Sequence, residues 1–447
     1  MLISHQKILN ESVASYDVLV IGGGPAGTTI ASLLTEKGWS VCLLEKSHHP
    51  RFHIGESLLP MNMPILEMLG VLGKVDNIGI KKYAAEFNSE VTALEQDVFY
   101  FAKAANKKYP FAYQVRRSEF DEILFKNCQD KGVSAFEGIT VNNVDLEQPT
   151  KKVWALTETG ESKEFHCQYI IDASGRDTFL SKKLNTKKKN PKHQMAAMFG
   201  HFHNVQRRAG MDEGNISIYW FEHGWMWLIP LKDGMMSMGC VCWPEYLKTR
   251  DLPLNDFLQR TLSLLPEVAA RIKNANLVGN AHATGNYSYS SQQMAGDGYL
   301  MIGDAYTFVD PVFSSGVYLA MQSAVKGAAY VDTILKDPSQ QGHQGALLEQ
   351  AMRKEINAFC WFIYRFNSPA LHKLLMLSGE NNLHPIRQKM KSAVISVLAG
   401  DASNQQIKFY LGLFKALYFF SILIDLKQHW RFITFRNRQN KVQLEMQ

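Results

Sequence analysis

Gly22, Gly24 and Gly27 fall at the spacing G-x-G-x-x-G, and Glu45 follows Gly27 by eighteen residues. That set is suited to holding a dinucleotide. The first glycine permits a tight turn, the second lets a pyrophosphate approach the backbone, and the third lets a helix pack closely on a strand. Glu45 ends an apolar run, where its carboxylate reaches ribose hydroxyls; Ala26 within the turn and Lys46 beside the acid are counted with the site. The surrounding segment, "YDVLVIGGGPAGTTIASLLTEKGWSVCLLEK" (16–46), reads as strand, glycine turn, helix and second strand, with the helix N-terminus receiving phosphate.

NAD and FAD share this pattern, and later segments favour FAD. "YLMIGDAYTFVDPVFSSGV" (299–317) starts as a buried strand, reaches Asp304, and passes Pro311 into a small-residue turn opening a helix at Gly316 and Val317. That order suits an acid on the flavin ribitol and helix amides facing the ring system. "YIIDASGRDTFLS" (169–181) is a third apolar strand ending in Asp172 and Gly175, and "YQVRRSEFDEIL" (113–124) starts a helix from which Arg117 reaches the cofactor. No second glycine fingerprint marks a separate NAD(P)H domain.

The elements that must position these residues occupy 447 residues, 46% hydrophobic and 20% charged, too long for one simple core. The fold class expected is α/β: a Rossmann-like FAD-binding domain interleaved with a mixed β-sheet substrate domain, plus an α-helical C-terminal region. The boundaries read as 1–92, 117–190 and 291–340 for the FAD domain, 93–116 and 191–290 for the substrate sheet, and 341–447 for helices covering the substrate site. Ile216, Ile218 and Trp220 fall on one face of a strand by alternation. A formal charge of +6 without a long one-sign tail does not imply nucleic acid. The basic run 182–190 reads as a solvated loop. Six scattered cysteines suggest neither a disulfide framework nor a metal site and fit a reducing cytoplasm. The N-terminus lacks signal-peptide character. The apolar stretch 409–424, interrupted by Lys415, falls short of the roughly 20 residues of a membrane span and reads as a packed helix, so no transmembrane segment is expected.

"GWMWLIP" (224–230) supplies the remaining specificity. With the segments above, the whole chain resembles the flavin-dependent halogenases, within the FAD monooxygenases of hydroxybenzoate-hydroxylase type. The pattern W-x-W-x-I-P is matched at Trp225, Trp227, Ile229 and Pro230. "PRFHIGESLLP" (50–60) is similar to the family's strap beside the flavin, centred on Gly55, Glu56 and Ser57. "KYAAEF" (82–87) resembles the K-x-G-A-x-F region of the catalytic lysine, which makes Lys82 the candidate; Ala84 replaces the glycine, so Lys81 stands as the alternative.

The resemblance implies FADH2 supplied by a separate flavin reductase, O2, and chloride or bromide held by Ser315 and Gly316. It also implies a small aromatic substrate, free or tethered to a carrier protein. The tryptophans would wall the substrate from the flavin, so that hypohalous acid travels to Lys82 instead. Phe313 stands where tryptophan halogenases carry a glutamate base, which favours an electron-rich phenol or pyrrole. Two other readings stay open from sequence: a single-component NAD(P)H-dependent FAD aromatic hydroxylase, and a geranylgeranyl-reductase-like flavoprotein.

Overall fold

The computed structural model describes residues 13–88, 96–190, 195–285, 288–376 and 384–445. The N-terminal residues 1–12 and the boundary read at 92/93 lie outside them. Strand β1 (Val13–Ile21), helix α1 (Pro25–Glu36) and strand β2 (Val41–Leu44) form the expected first unit. Strands β3 (Ala84–Asn88) and β4 (Gln96–Tyr100) leave it for a second sheet. Helix α2 (Arg117–Asp130) and strand β5 (Ser134–Phe136) return to the first.

Strand β6 (Ser162–Asp172) continues the first sheet, and four strands then build the second: β7 (Ala196–His203), β8 (Ile216–Phe221), β9 (Gly224–Pro230) and β10 (Met236–Cys242). Strand β11 (Asn276–Thr284) ends that sheet, and β12 (Tyr299–Met301) belongs to the first. Helix α3 (Ser315–Lys336) packs on α1, and helices α4 (Gln341–Ile363), α5 (Pro385–Leu398), α6 (Lys408–Ile424) and α7 (Leu426–Glu445) follow.

The central path β12-β6-β1-β2-β5 of the first sheet is parallel throughout. Val18, Leu19 and Val20 are wholly buried, as a parallel sheet covered on both faces requires. The second sheet runs β11-β7-β10-β9-β8-β3-β4 and is antiparallel except for the parallel pair β8 and β3. Ala84–Asn88, read as part of the first FAD segment, therefore belongs to the second sheet; it pairs with β8 and β4 rather than with any strand of the first sheet.

The period of two sorts β9 between two cores. Trp225, Trp227 and Ile229 join the main core, whereas Met226 and Leu228 join a separate one with Met238, Phe257 and Leu262. Ile216, Ile218 and Trp220 share the main-core face, as their alternation predicts.

Two sequence expectations need correction. Residues 182–190 are not a loop: they run from the end of the helix Phe179–Lys183 into the strand Lys187–Lys189, which pairs with Tyr289–Ser291. The Lys187 ammonium lies 3.9 Å from the Tyr289 ring centroid, so its stem covers an aromatic face while the run stays basic. The 409–424 stretch is helical, but only Leu411, Phe414 and Tyr418 of α6 are buried, because a single stripe meets the body.

Candidate active site

A cavity of about 450 Å³ runs from the Gly22 turn to the N-terminus of α3. Its walls include Gly22, Gly24, Ala26, Glu45, Lys46, Gly55, Glu56, Ser57, Arg117, Asp304, Pro311, Gly316 and Val317, so residues scattered over three chain segments meet at one site. The glycines test whether it fits FAD. Gly22 holds φ at +105°, and a Cβ there would sit 2.4 Å from the Ala173 carbonyl oxygen; at Gly27 a Cβ would lie 1.9 Å from the Gly22 oxygen. At Gly24 it would meet only Arg51 Nη2, at 3.9 Å. Two glycines thus serve chain packing and the middle one leaves open space at the helix start, as pyrophosphate binding demands.

Glu45 accepts hydrogen bonds from the backbone N–H of Gly23 (2.7 Å) and of Ser47 (2.9 Å), which fixes the carboxylate at the tip of β2. Burial pushes the Asp304 carboxyl up to about 6, against the lowering effect of Arg117 and Arg176. Asp172 does not line the cavity. Its buried carboxylate accepts from the backbone N–H of Ser174 and Leu180 and shapes the turn beneath.

Residues 51–57, from the segment read as the strap, line the cavity and are tied down by Arg117 together with three residues not singled out from sequence, Arg51, Asp121 and His201. The Arg117 guanidinium donates through Nη1 to the Ile54 carbonyl (2.7 Å) and through Nε and Nη2 to Asp121. Arg51 bridges Asp121 and Glu45 at 3.2 and 3.5 Å. Glu56 Oε1 lies 2.6 Å from His201 Nε2, joining the strap to β7. Arg176 also lines the cavity and stacks on Phe308.

A second cavity of about 10 Å³, room for about one water, adjoins the same strap segment at Leu59. Lys82 lines it and is 1% exposed; Lys81 is exposed and sits over the Phe111 ring. Lys82 Nζ donates to Ser57 Oγ (2.8 Å) and to the Leu58 carbonyl (3.0 Å) and faces the Phe101 ring. Burial lowers its pKa to about 7, and among the described residues no carboxylate pairs with it. Phe313 lines the same cavity, packed against Phe362 and Phe366, so Lys82 is the one ionisable group on its walls among the described residues.

The wall has a different composition from the one expected. Trp225, Trp227 and Ile229 line the larger cavity, and the two indoles stand 5.7 Å apart. The residues common to both cavities are Ile216, Val312 and Ser314. Pro230 lines neither cavity but ends the buried strand. At the turn, Ser314 adopts φ +55° and no side chain caps α3; Gly316 lines the larger cavity, and the Ser315 hydroxyl is buried without a hydrogen-bond partner. Uncapped helix N–H groups beside an unpartnered hydroxyl are suited to an anion.

A family model for the FAD binding domain matches residues 15–343. Over 331 residues the chain is 30% identical to a 1H-pyrrole-2-carbonyl (peptidyl-carrier protein) chlorinase of Pseudomonas fluorescens, covering 69% of this chain and 74% of that protein. The chain belongs to the flavin-dependent halogenases. It is also 35% identical to a tryptophan 2-halogenase of Chondromyces crocatus over 72% of this chain, although the match spans only 62% of that longer protein. The solved myxobacterial chondrochloren halogenase CndH superposes with a TM-score of 0.74 at 28% identity, covering 91% of this chain and 97% of that one.

Proposed function

We propose that this halogenase uses FADH2 from a separate flavin reductase, O2 and chloride or bromide to make hypohalous acid, and that Lys82 delivers the halogen to an electron-rich aromatic of phenol or pyrrole type. The carrying observation is the position of Lys82: a buried amine in a cavity that shares Ile216, Val312 and Ser314 with the flavin cavity. Gly24 and the α1 N-terminus would hold the pyrophosphate, Glu45 the ribose and Asp304 the ribitol. Bound and reduced, the flavin supplies with O2 the two-electron oxidation that turns halide into hypohalous acid.

Halide would rest on the N–H groups of Ser315 and Gly316 with the Ser315 hydroxyl as a third donor. Trp225 and Trp227, buried on the wall of the larger cavity, would keep an aromatic substrate from the flavin. With its pKa near 7, Lys82 is partly neutral at physiological pH. The free amine takes halogen from hypohalous acid, releasing water, and passes it to the ring; the ring proton leaves and the amine is regenerated. As the protonated form it instead orients hypohalous acid by hydrogen bonding. Among the described residues no carboxylate lines these walls, which supports a ring that activates itself, and the carrier-bound pyrrole in the Pseudomonas fluorescens relative's name supports the pyrrole class and a tethered substrate as one form of it. Cytoplasmic placement follows from the dependence on a reductase and NADH.

The test combines purified protein, FAD, a flavin reductase, NADH, bromide and a phenol or monochlorodimedone trap. Halogenated trap that requires the reductase is the expected result. NADH oxidation and hydroxylated product without added reductase would replace this reading with the single-component hydroxylase.

A further inference from the structure

The C-terminal helix pair presents a surface that the halogenase chemistry leaves unused. On α6, Leu411, Phe414 and Tyr418 form the inner stripe, with Phe414 5.9 Å from the Phe362 ring and Tyr418 5.3 Å from Trp361. The opposite face repeats at helical spacing as Phe409, Gly412, Ala416, Phe420 and Leu423, all exposed. Phe409 is 73% exposed, Phe420 59% and Leu423 64%. A water-facing helix ordinarily carries polar groups there, and a helix apolar all round belongs in a core or in lipid. This one meets the core along a single stripe: an 18-residue window within 405–424 has a mean hydropathy of 1.7, enough for a membrane helix, yet only 22% of that window is buried.

Charge then chooses the occupant. From 405 to 441 the chain carries seven lysines and arginines against the single acid Asp425. Where α6 passes into α7, exposed Leu426 and Trp430 extend the apolar face, and Lys427 and Arg431 stand one position along the same turns, exposed and without ion pairs among the described residues. Aromatic and aliphatic side chains bordered by free basic groups, with a tryptophan at the border, form the pattern of a helix lying in the headgroup region of an anionic bilayer. A second copy of this chain would bring the same positive charge to the contact. An acidic protein partner would find no charged group along the central face of α6.

We propose that α6 and the start of α7 dock this protein in the plane of an anionic lipid surface. The helix lies on the bilayer rather than crossing it, since crossing would strip Phe414 and Tyr418 from Trp361 and Phe362 and drag Lys415 into hydrocarbon.

Full-length protein is sedimented with vesicles of phosphatidylcholine alone and with about one-third phosphatidylglycerol, at low and high salt. The wild type should bind the anionic vesicles and be released by salt. The triple variant Phe420→Ser, Leu423→Ser, Ile424→Ser and the double variant Lys427→Gln, Arg431→Gln should each lose binding by about tenfold or more. FAD titration of the same samples confirms that both variants are folded. Wild type remaining in the supernatant with anionic vesicles overturns the proposal. So does a dimer that the triple variant abolishes while neither protein binds vesicles, which would assign the face to a second copy. The readout is lipid binding, so a failure of the halogenation assay leaves it unaffected.

Discussion

At the scale of single residues, the two lysines and the three glycines make opposite demands on the same methods. If Lys82 acts after the oxidant is made, as proposed, Lys82→Met should reduce halogenation by about a thousandfold or more while FAD binding and peroxide release in the presence of reductase persist; Lys81→Met should leave product formation intact. Loss of FAD affinity in the Lys82 variant would make it a structural residue. The pH dependence of stability gives a second check. In the folded protein the amine releases its proton near pH 7, whereas in the unfolded chain it holds it to about 10.5. Between those values the unfolded state binds more protons, so stability must rise with pH, by at most about 1.4 kcal/mol per unit. Urea unfolding across that window should show the slope in wild type and lose it in Lys82→Met. Gly24→Val should fold yet lose FAD affinity by about a hundredfold or more, whereas Gly27→Ala should be destabilised even without FAD, since its Cβ meets the Gly22 oxygen. The glycines were legible because their roles are local. Arg51 with Asp121 and Glu56 with His201 were not, because those partners stand 70 and 145 residues apart and nothing in either neighbourhood announces the other.

At the scale of elements, β9 was legible as a specific strand only through its tryptophans, and its position changed their meaning. Trp225 and Trp227 are 3% and 4% exposed and face the flavin cavity, so truncating either to alanine should cost about 3 to 5 kcal/mol. As walls of that cavity they should also change coupling: per folded molecule, the ratio of halogenated product to hydrogen peroxide should fall, and measuring product, peroxide and folded fraction together at several halide concentrations checks it. An unchanged ratio would reduce the pair to packing. Elements misread from sequence share one cause, which is that an element's neighbours decide its environment. The basic run 182–190 became an edge strand because Tyr289–Ser291 lies beside it, and α6 stayed half uncovered because α5 and the rings of Trp361 and Phe362 meet it along one side.

Across the whole molecule, long-range side-chain ties such as Glu56 to His201 join the strap to the second sheet, and a buried ion pair adds to the packing of the C-terminal helices. Lys391 of α5 lies 2.8 Å from Asp97 of β4, both almost fully enclosed, and Leu398 of the same helix lines the Lys82 cavity. Lys391→Met should cost about 3 kcal/mol or more by stripping Asp97 of its cation, with hydrogen exchange rising first in residues 385–398. The strap carries the wider consequence. Gly55, Glu56 and Ser57 line the larger cavity, and Ser57 and Leu58 accept hydrogen bonds from the Lys82 amine. Two ligands of one segment obey reciprocity: if flavin occupancy shifts the strap enough to alter the lysine's hydrogen bonds, proton uptake at the lysine alters flavin affinity by the same factor. A titration of FAD affinity against pH therefore measures, without substrate or turnover, how strongly the larger cavity and the Lys82 amine sense each other.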